Sequence, residues 1–241
     1  MRISIIIPAF NEEKLIGLSL EAMAEASTAF GRLGWEAETI VCDNNSTDRT
    51  AEIARDSGAI VVFEPVNQIG RARNRGAAAA TGEWLLFVDA DSCPTAELFA
   101  DLARVIASGR CAGGGSTLTY GQPAMRGSRL VGVWNTLSRM IRWAPGSFLF
   151  CLARAFRELR GFDEELFIAE EIDFSRRLKR WARAHAKSVE ILSAHPLATS
   201  PRKLHLYTGR EYLGFLGTCL LHPSGVKRNR DACPIWYDGR R

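Results

Sequence analysis

The sequence is short of most features that would take it outside ordinary globular enzymes. No stretch reaches the ~20 apolar residues needed to span a bilayer. The nearest, residues 212–221, is about half that length, contains Gly214 and Gly217, and reads as a core or interface helix or a membrane-surface contact. The N-terminal run Met1-Arg2-Ile3-Ser4-Ile5-Ile6-Ile7-Pro8 has no signal-peptide h-region and no cleavage site. The six cysteines, at 42, 93, 111, 151, 219 and 233, form no Cys-x-x-Cys pair, which argues against a zinc ribbon or a redox dithiol. In a chain this long they establish no disulfide framework either, and a reduced, cytoplasmic protein is expected. Histidine is scarce, and His185, His195 and His222 have no neighbour that marks them as ligands. There is no internal repeat and no low-complexity segment beyond Ala77-Ala78-Ala79-Ala80, which is good helix. The net charge of +4 is too mild to imply nucleic acid. Much of the basic excess lies in residues 126–183 and 202–241, a distribution suited to a phosphorylated substrate or an anionic membrane surface.

What is present is an alternation of strand and helix signals over 241 residues that are 46% hydrophobic and 24% charged, enough for one sizeable core. Residues 3–7, 37–42, 59–63 and 84–88 read as strands; 12–29, 49–57 and 71–80 read as helices between them. Such alternation predicts an α/β fold with right-handed βαβ units and a mostly parallel sheet. Pro8 should stop the first strand, and Asp48 or Thr47 should cap the second helix. The second half is less regular. Helices are predicted over 98–107, 129–142 and 170–183, and strands over 116–120, 148–152 and 188–192, with Gly113-Gly114-Gly115 as punctuation. No periodicity follows His222.

The chemistry gathers where strands end. In open α/β sheets ligands sit beyond the carboxyl ends of the strands. The fourth strand ends in Asp89-Ala90-Asp91, two carboxylates suited to a hard divalent cation that also holds a phosphate. The structural alternative is a helix cap by Asp91 or Ser92. The first strand ends Pro8-Ala9-Phe10-Asn11-Glu12, an amide beside an acid. The second ends at Asp43, which can accept from a ribose hydroxyl or a base, or form an Asx turn. Arg71, Arg73 and Arg75 open the third helix, placed for a diphosphate or for clamping those acids; a solvated basic face is the plainer reading for Arg71 or Arg75.

These pieces, in order, resemble the family-2 glycosyltransferases of GT-A fold. The resemblance rests on residues 5–12 (Ile5-Ile6-Ile7-Pro8-Ala9-Phe10-Asn11-Glu12) and 41–48 (Val41 through Asp48), then Ala72-Arg73-Asn74 and Thr81-Gly82-Glu83. It continues through Phe87-Val88-Asp89-Ala90-Asp91, Gly161-Phe162-Asp163-Glu164 and Glu170-Glu171-Ile172-Asp173-Phe174, and so covers roughly residues 1–200. It implies transfer of a sugar from a nucleoside diphosphate donor, UDP-sugar favoured, to an acceptor hydroxyl, with Mn²⁺ or Mg²⁺. It implies that Pro8, Asn11 or Glu12, and Asp43 hold the nucleoside, that Asp89 faces the ribose or the metal, and that Asp91 ligates the metal. From position alone, Arg73 is placed for the diphosphate, Arg202 or Lys203 for closing over it, and His205 for completing the metal shell; a surface loop is the alternative for residues 198–205. The acidic pair before the 170–183 helix supplies the base: Glu171 first, Glu170 second, Asp173 third, where the commoner pattern is Glu-Asp. For Glu170 and Glu171 the alternative is favourable charge at a helix N-terminus; for Asp173 it is pairing with Arg176 or Arg177. Inversion at the anomeric carbon is implied by the family. The expected organisation is a single GT-A domain over 1–222, with a nucleotide-binding half at 1–115 and an acceptor half at 116–222, then a loop or mobile tail at 223–241. The acceptor is unidentified, and a lipid-linked or phosphorylated one is compatible with the basic second half. Two other readings share the fold. Nucleotidyl transfer calls for a glycine-rich basic loop after the first strand, which Pro8-Ala9-Phe10-Asn11-Glu12 is not. A non-catalytic sugar-nucleotide-binding module draws support from the Glu at position 171.

Overall fold

The computed structural model describes residues 1–120, 128–200 and 228–233. Eight strands form one sheet: β1 (Arg2–Ala9), β2 (Glu36–Asp43), β3 (Ile60–Phe63), β4 (Trp84–Val88), β5 (Ser92–Cys93), β6 (Cys111–Thr119), β7 (Phe148–Leu152) and β8 (Ser188–Thr199). The helices are α1 (Ile16–Gly31), α2 (Thr50–Asp56), α3 (Ile69–Ala79), α4 (Ala96–Ala107), α5 (Ser128–Ile141), α6 (Ala153–Glu158) and α7 (Glu170–Ala184), with a 3₁₀ turn at Arg230–Ala232. The strand order is β3-β2-β1-β4-β7-β6-β8-β5. Strands β3, β2, β1 and β4 run parallel, as the βαβ alternation predicts, and β6 runs parallel to β8. The exceptions are β7, antiparallel to both β4 and β6, and the two-residue β5, antiparallel to β8 at the edge. Strand β7 stitches the second half of the chain into the middle of the sheet.

Both faces of the central strands are covered, and the period of two sorts their side chains. On one face Ile3, Ile5 and Ile7 of β1 and Trp84, Leu86 and Val88 of β4 pack with Met23, Phe30, Phe99 and Leu102 of α1 and α4. On the other, Ile6, Leu85 and Phe87 pack with Phe156, Phe162, Phe174 and Leu178. Phe162 and Phe174 pack as tilted rings with centroids 4.9 Å apart, and Phe162 meets Phe87 edge-on at 5.1 Å. This aromatic cluster fixes the first turn of α7 over the end of β4.

Several sequence expectations are corrected. Pro8 does not stop β1, which runs to Ala9. The ladder to β4 ends at Ile6–Phe87, so one edge of β1 is already unpaired at Pro8, where a missing N–H is tolerated. The three glycines at 113–115 are not punctuation but the middle of β6. A Cβ on Gly114 would collide with the Glu190 carbonyl, and one on Gly115 would lie 2.7 Å from Phe148 O. Glycine here permits close backbone approach across three strands. Strand β8 continues past residue 192 to Thr199, through irregular pairing with β6 that accommodates Pro196. Neither Asp91 nor Ser92 caps α4: Thr95 does, its Oγ1 accepting from Leu98 N at 3.3 Å. The short α6 has no counterpart in the expected elements. Residues 212–221 and most of the tail lie outside the described residues. Of the tail, Cys233 is buried and Arg228 pairs with Glu165 at 3.0 Å. Cys42, Cys93, Cys111, Cys151 and Cys233 are free thiols, and no described helix is long and apolar enough to cross a membrane.

Candidate active site

The loops after β1 and β2 are sewn together by polar contacts. Asn11 adopts a left-handed conformation (φ 52°) that short polar side chains tolerate. Its Oδ1 accepts from Thr47 N at 2.8 Å, and its own N–H donates to Ser46 Oγ at 3.0 Å. Glu12 N donates to Thr50 Oγ1 at 2.7 Å, and Glu13 N to Asp48 Oδ2 at 3.1 Å. Asp48 thus organises the start of α2 through Thr50, whose N–H lies 2.9 Å from Asp48 Oδ1. Asp43, only 8% exposed, closes an Asx turn by accepting from Ser46 N at 3.0 Å. Pro8, Glu12 and Asp43 are all buried where β1 and β2 end.

Asn44, which the sequence reading passed over, cross-links three elements. It donates to the carbonyls of Glu64 and Val66 and accepts from Gln68 N at 2.9 Å. Helix α3 then holds the segment leading into α7. Gln68 donates to Glu164 O and Leu166 O at 2.7 and 2.8 Å, and Asn74 exchanges hydrogen bonds with the backbone of Phe162. Arg71 pairs with Glu64 and Glu164, and Arg75 is exposed. Arg71 is thus an ion-paired link between loops and not part of a solvated face, whereas the exposure of Arg75 fits that plainer reading.

Arg73 is different. It is 2% exposed, and its guanidinium reaches three elements: Nη1 donates to Glu170 Oε1 at 2.6 Å, Nη2 to Asp89 Oδ1 at 3.1 Å and to Gly146 O at 3.0 Å. Burial opposes the charge, but Asp89, Glu170 and Glu171 outweigh it, and the guanidinium pKa is raised. Arg73 therefore clamps the acids, joining the end of β4 to the start of α7. Its Nε is buried with no hydrogen-bond partner among the described residues.

Two cavities meet at Glu171. The first, about 190 Å³, is lined by Arg73, Asp89, Ser147, Glu170 and Glu171 with the Phe167–Ala169 backbone nearby. The second, about 320 Å³, is lined by Leu118, Tyr120, Val131, Trp134, Pro145 and Glu171. One is polar and charged, the other apolar and aromatic. Gly146 lines both as well, so a residue without a side chain shares the wall between them with Glu171. A Cβ there would stand 2.9 Å from Arg73 Nη2. Tyr120 and Trp134 were not marked by sequence; their spacing is that of any half-buried strand end and helix.

The two glutamates differ in environment. Glu170 is 4% exposed and held by Arg73. Glu171 is half-buried and lines both cavities. Burial first, then the Glu170 carboxylate, push its carboxyl up to about 8, with Arg73 pulling the other way. Asp173 lies outside both linings and is bound to Arg177, Nε to Oδ2 at 2.7 Å, the helix-surface pairing of the structural alternative. Ala169, just before the pair, is in the left-handed region (φ 62°), a strained conformation for a residue with a Cβ.

Asp91 lies one residue beyond the buried Ala90, and its carbonyl accepts from Ser200 N at 3.2 Å. Its carboxylate charge, after burial, raises the Tyr120 phenol, which puts it near the apolar cavity. Arg202, Lys203 and His205 follow Ser200 but lie outside the described residues. Among the described residues no three His, Cys, Asp or Glu side chains converge on one metal position. The donors available, Asp91 with Asp89 two residues away, fit a hard cation of the Mg²⁺ or Mn²⁺ type. Such an ion takes one or two carboxylates and fills its remaining positions with water and substrate phosphate.

Comparison with known proteins bears on the family and the fold. A family model described as glycosyl transferase family 2 matches residues 4–148. An uncharacterized glycosyltransferase of Mycobacterium tuberculosis is 38% identical over 105 residues, 44% of this chain and 42% of that protein. The 4,4'-diaponeurosporenoate glycosyltransferase of Staphylococcus haemolyticus is 38% identical over 96 residues, 37% of this chain and 24% of that protein. The matches thus span less than half the length of these curated relatives. Among solved structures, residues 1–349 of Staphylococcus aureus TarS in complex with UDP-GlcNAc superpose with a TM-score of 0.64 at 21% identity. That match covers 99% of this chain and 71% of the other. Glucosyl-3-phosphoglycerate synthase of M. tuberculosis with Mn²⁺, UDP and phosphoglyceric acid gives 0.62 at 20% identity, covering 91% and 75%. These neighbours are GT-A glycosyltransferases, and the fold described above is theirs. With a family model spanning more than half its length, the chain belongs to glycosyl transferase family 2.

Proposed function

We propose that this protein transfers a sugar from a UDP-sugar to the hydroxyl of an acceptor with an apolar body, with inversion and with Glu171 as the base. The observation that carries the reading is the position of Glu171, the one carboxylate lining both the charged cavity at Arg73 and Asp89 and the apolar cavity at Trp134. Glu170 is a weaker candidate because its carboxylate is committed to Arg73 at 2.6 Å. UDP is favoured because TarS and glucosyl-3-phosphoglycerate synthase were crystallised with it or its sugars.

In this mechanism the donor's diphosphate lies beyond β4, near Asp89 and Asp91, and its sugar occupies the charged cavity. Leu118, Val131, Trp134 and Pro145 hold the acceptor and exclude water that would otherwise hydrolyse the donor. Glu171 accepts the acceptor's hydroxyl proton as the new carbon–oxygen bond forms at the anomeric carbon. The bond from that carbon to the phosphate oxygen breaks on the opposite face, and its electron pair leaves with the diphosphate. One base and one displacement give inversion. Asp91 and Asp89 would hold Mn²⁺ or Mg²⁺, which supplies positive charge for the leaving diphosphate. Arg73 holds Asp89 and Glu170 in place through its hydrogen bonds to both. A carboxyl near 8 matches a base that works at neutral to mildly alkaline pH.

The test is a panel of UDP- and GDP-sugars scanned by thermal shift with and without Mn²⁺, followed by turnover with amphiphilic alcohols. A cation-dependent shift with one UDP-sugar, and transfer that collapses in Asp91→Ala, is expected. Stabilisation by a donor without turnover across the acceptors would favour the binding-module reading. Turnover near wild type in Asp91→Ala would overturn its assignment.

A further inference from the structure

Helix α5 has two working faces. Inward, Val131 and Trp134 line the apolar cavity, and Asn135 is pinned by two hydrogen bonds to the backbone of Leu118, at 2.9 and 2.8 Å. Outward, Val133, Leu137 and Met140 are 67%, 43% and 78% exposed. Their spacing of four and three residues puts them on one stripe, where large apolar side chains gain nothing by facing water. The helix carries no acidic residue; Arg129 and Arg139 are its only charges.

Met140 also forms the rim of a cavity of about 240 Å³ that no carboxylate lines among the described residues. Its charged wall is Arg142, Lys179, Arg183 and Lys187. Lys179 Nζ donates to Ile141 O and Lys187 Nζ to Gly109 O, both at 2.7 Å. Each ammonium is thereby held in place with two N–H groups left over. Neither Arg139, Arg142 nor Arg183 forms an ion pair among the described residues. Four cations around one hollow repel each other, and an anion placed in it relieves that repulsion.

We propose that this face docks on an anionic phospholipid bilayer. The stripe of Val133, Leu137 and Met140 enters the boundary between headgroups and acyl chains, and a lipid phosphate enters the Arg142–Lys179–Arg183–Lys187 hollow. An apolar stripe flanked only by basic residues is the pattern of helices that lie in the membrane interface. A protein partner of this chain would need matching acids with no acidic group on α5 to set its register. Because Val131 and Trp134 project from the other side of the same helix, docking brings the apolar cavity within one helix diameter of the bilayer. The proposal concerns binding alone and stands apart from the transfer reaction.

The test is flotation of the full chain with vesicles of phosphatidylcholine, with and without 25% phosphatidylglycerol. The wild type is expected to partition at least tenfold more onto the anionic vesicles, and to lose most of that at 1 M salt, where the Debye length falls to about 3 Å. Val133→Asp/Met140→Asp and Arg142→Glu/Arg183→Glu should each lose at least tenfold in partitioning, with unchanged circular dichroism and melting temperature. These positions are exposed, so the folded state tolerates the changes. Equal partitioning on neutral and anionic vesicles would overturn the proposal, as would wild-type binding by both variants. So would a chain that stays off vesicles while being stabilised by inorganic phosphate, or that self-associates through α5 in sedimentation velocity.

Discussion

Replacing Glu171 by Gln should remove activity and add stability, with the second effect growing with pH. The carboxyl lies half-buried beside Glu170, and its pKa is pushed from an ordinary 4.5 up to about 8. A group whose folded pKa exceeds its unfolded one binds more protons in the native state between the two values. The unfolding free energy therefore falls as pH rises from about 4.5 to about 8, and levels off above that. At 1.36 kcal/mol per pH unit, the ceiling on this cost is about 4–5 kcal/mol. Water reaching a half-buried carboxylate screens much of it, leaving roughly 1–2 kcal/mol. Gln fills the same space without the charge. Glu171→Gln should thus melt close to wild type at pH 5 and about 2–8 °C higher at pH 9, given about 2–4 °C per kcal/mol for a domain this size. Turnover should drop about 10²–10⁴-fold, the usual contribution of a positioned base, while donor-induced thermal shifts persist. The assays are fluorimetric melting at the two pH values and release of UDP under saturating donor. A melting difference that is the same at pH 5 and pH 9 refutes the electrostatic reasoning. More than a tenth of wild-type turnover refutes the role of Glu171.

Two further outcomes follow from the same region. Arg73→Met leaves Glu170 buried without its partner and should destabilise the protein by about 3–5 kcal/mol in chemical denaturation. Arg73→Met combined with Glu170→Gln should recover at least about 1 kcal/mol of that, and no recovery would mean that Arg73 acts by packing alone. Ala169→Gly removes a Cβ from a residue at φ 62° and should stabilise by up to about 1 kcal/mol; a lower midpoint of unfolding would show that the left-handed conformation is not strained.

The sequence carried the buried strands Trp84–Val88, in the parallel half, and Phe148–Leu152, the antiparallel one, to the residue, because they announce themselves as unbroken apolar runs. It failed where tertiary contact overrides local preference. The glycines at 113–115 read as a break because their reason is the nearness of Glu190 and Phe148, neither of which local pattern can reveal. For Asp43 the sequence left a ligand acceptor and an Asx turn side by side, and the fold shows the turn, with Ser46 N donating to its Oδ1. The acids of the site were visible as a list, but their division of labour was not. Arg73 lies 97 residues from Glu170 and 16 from Asp89, and only the fold shows that it holds one glutamate and leaves the next to face the cavities. The apolar chamber was invisible for the same reason: Leu118, Val131 and Trp134 are ordinary residues until β6 and α5 meet.

Gly146 has a consequence for how this site could diversify. It lines both chambers together with Glu171, and a Cβ there would stand 2.9 Å from Arg73 Nη2. Under the proposed reaction, reshaping the apolar chamber through Val131, Trp134 or Leu118 would exchange one acceptor for another without touching the arginine that holds the acids. Added bulk at 146 would press on that arginine instead. Acceptor choice and the chemistry of transfer would then be separable traits, divided at a position whose contribution is to have no side chain.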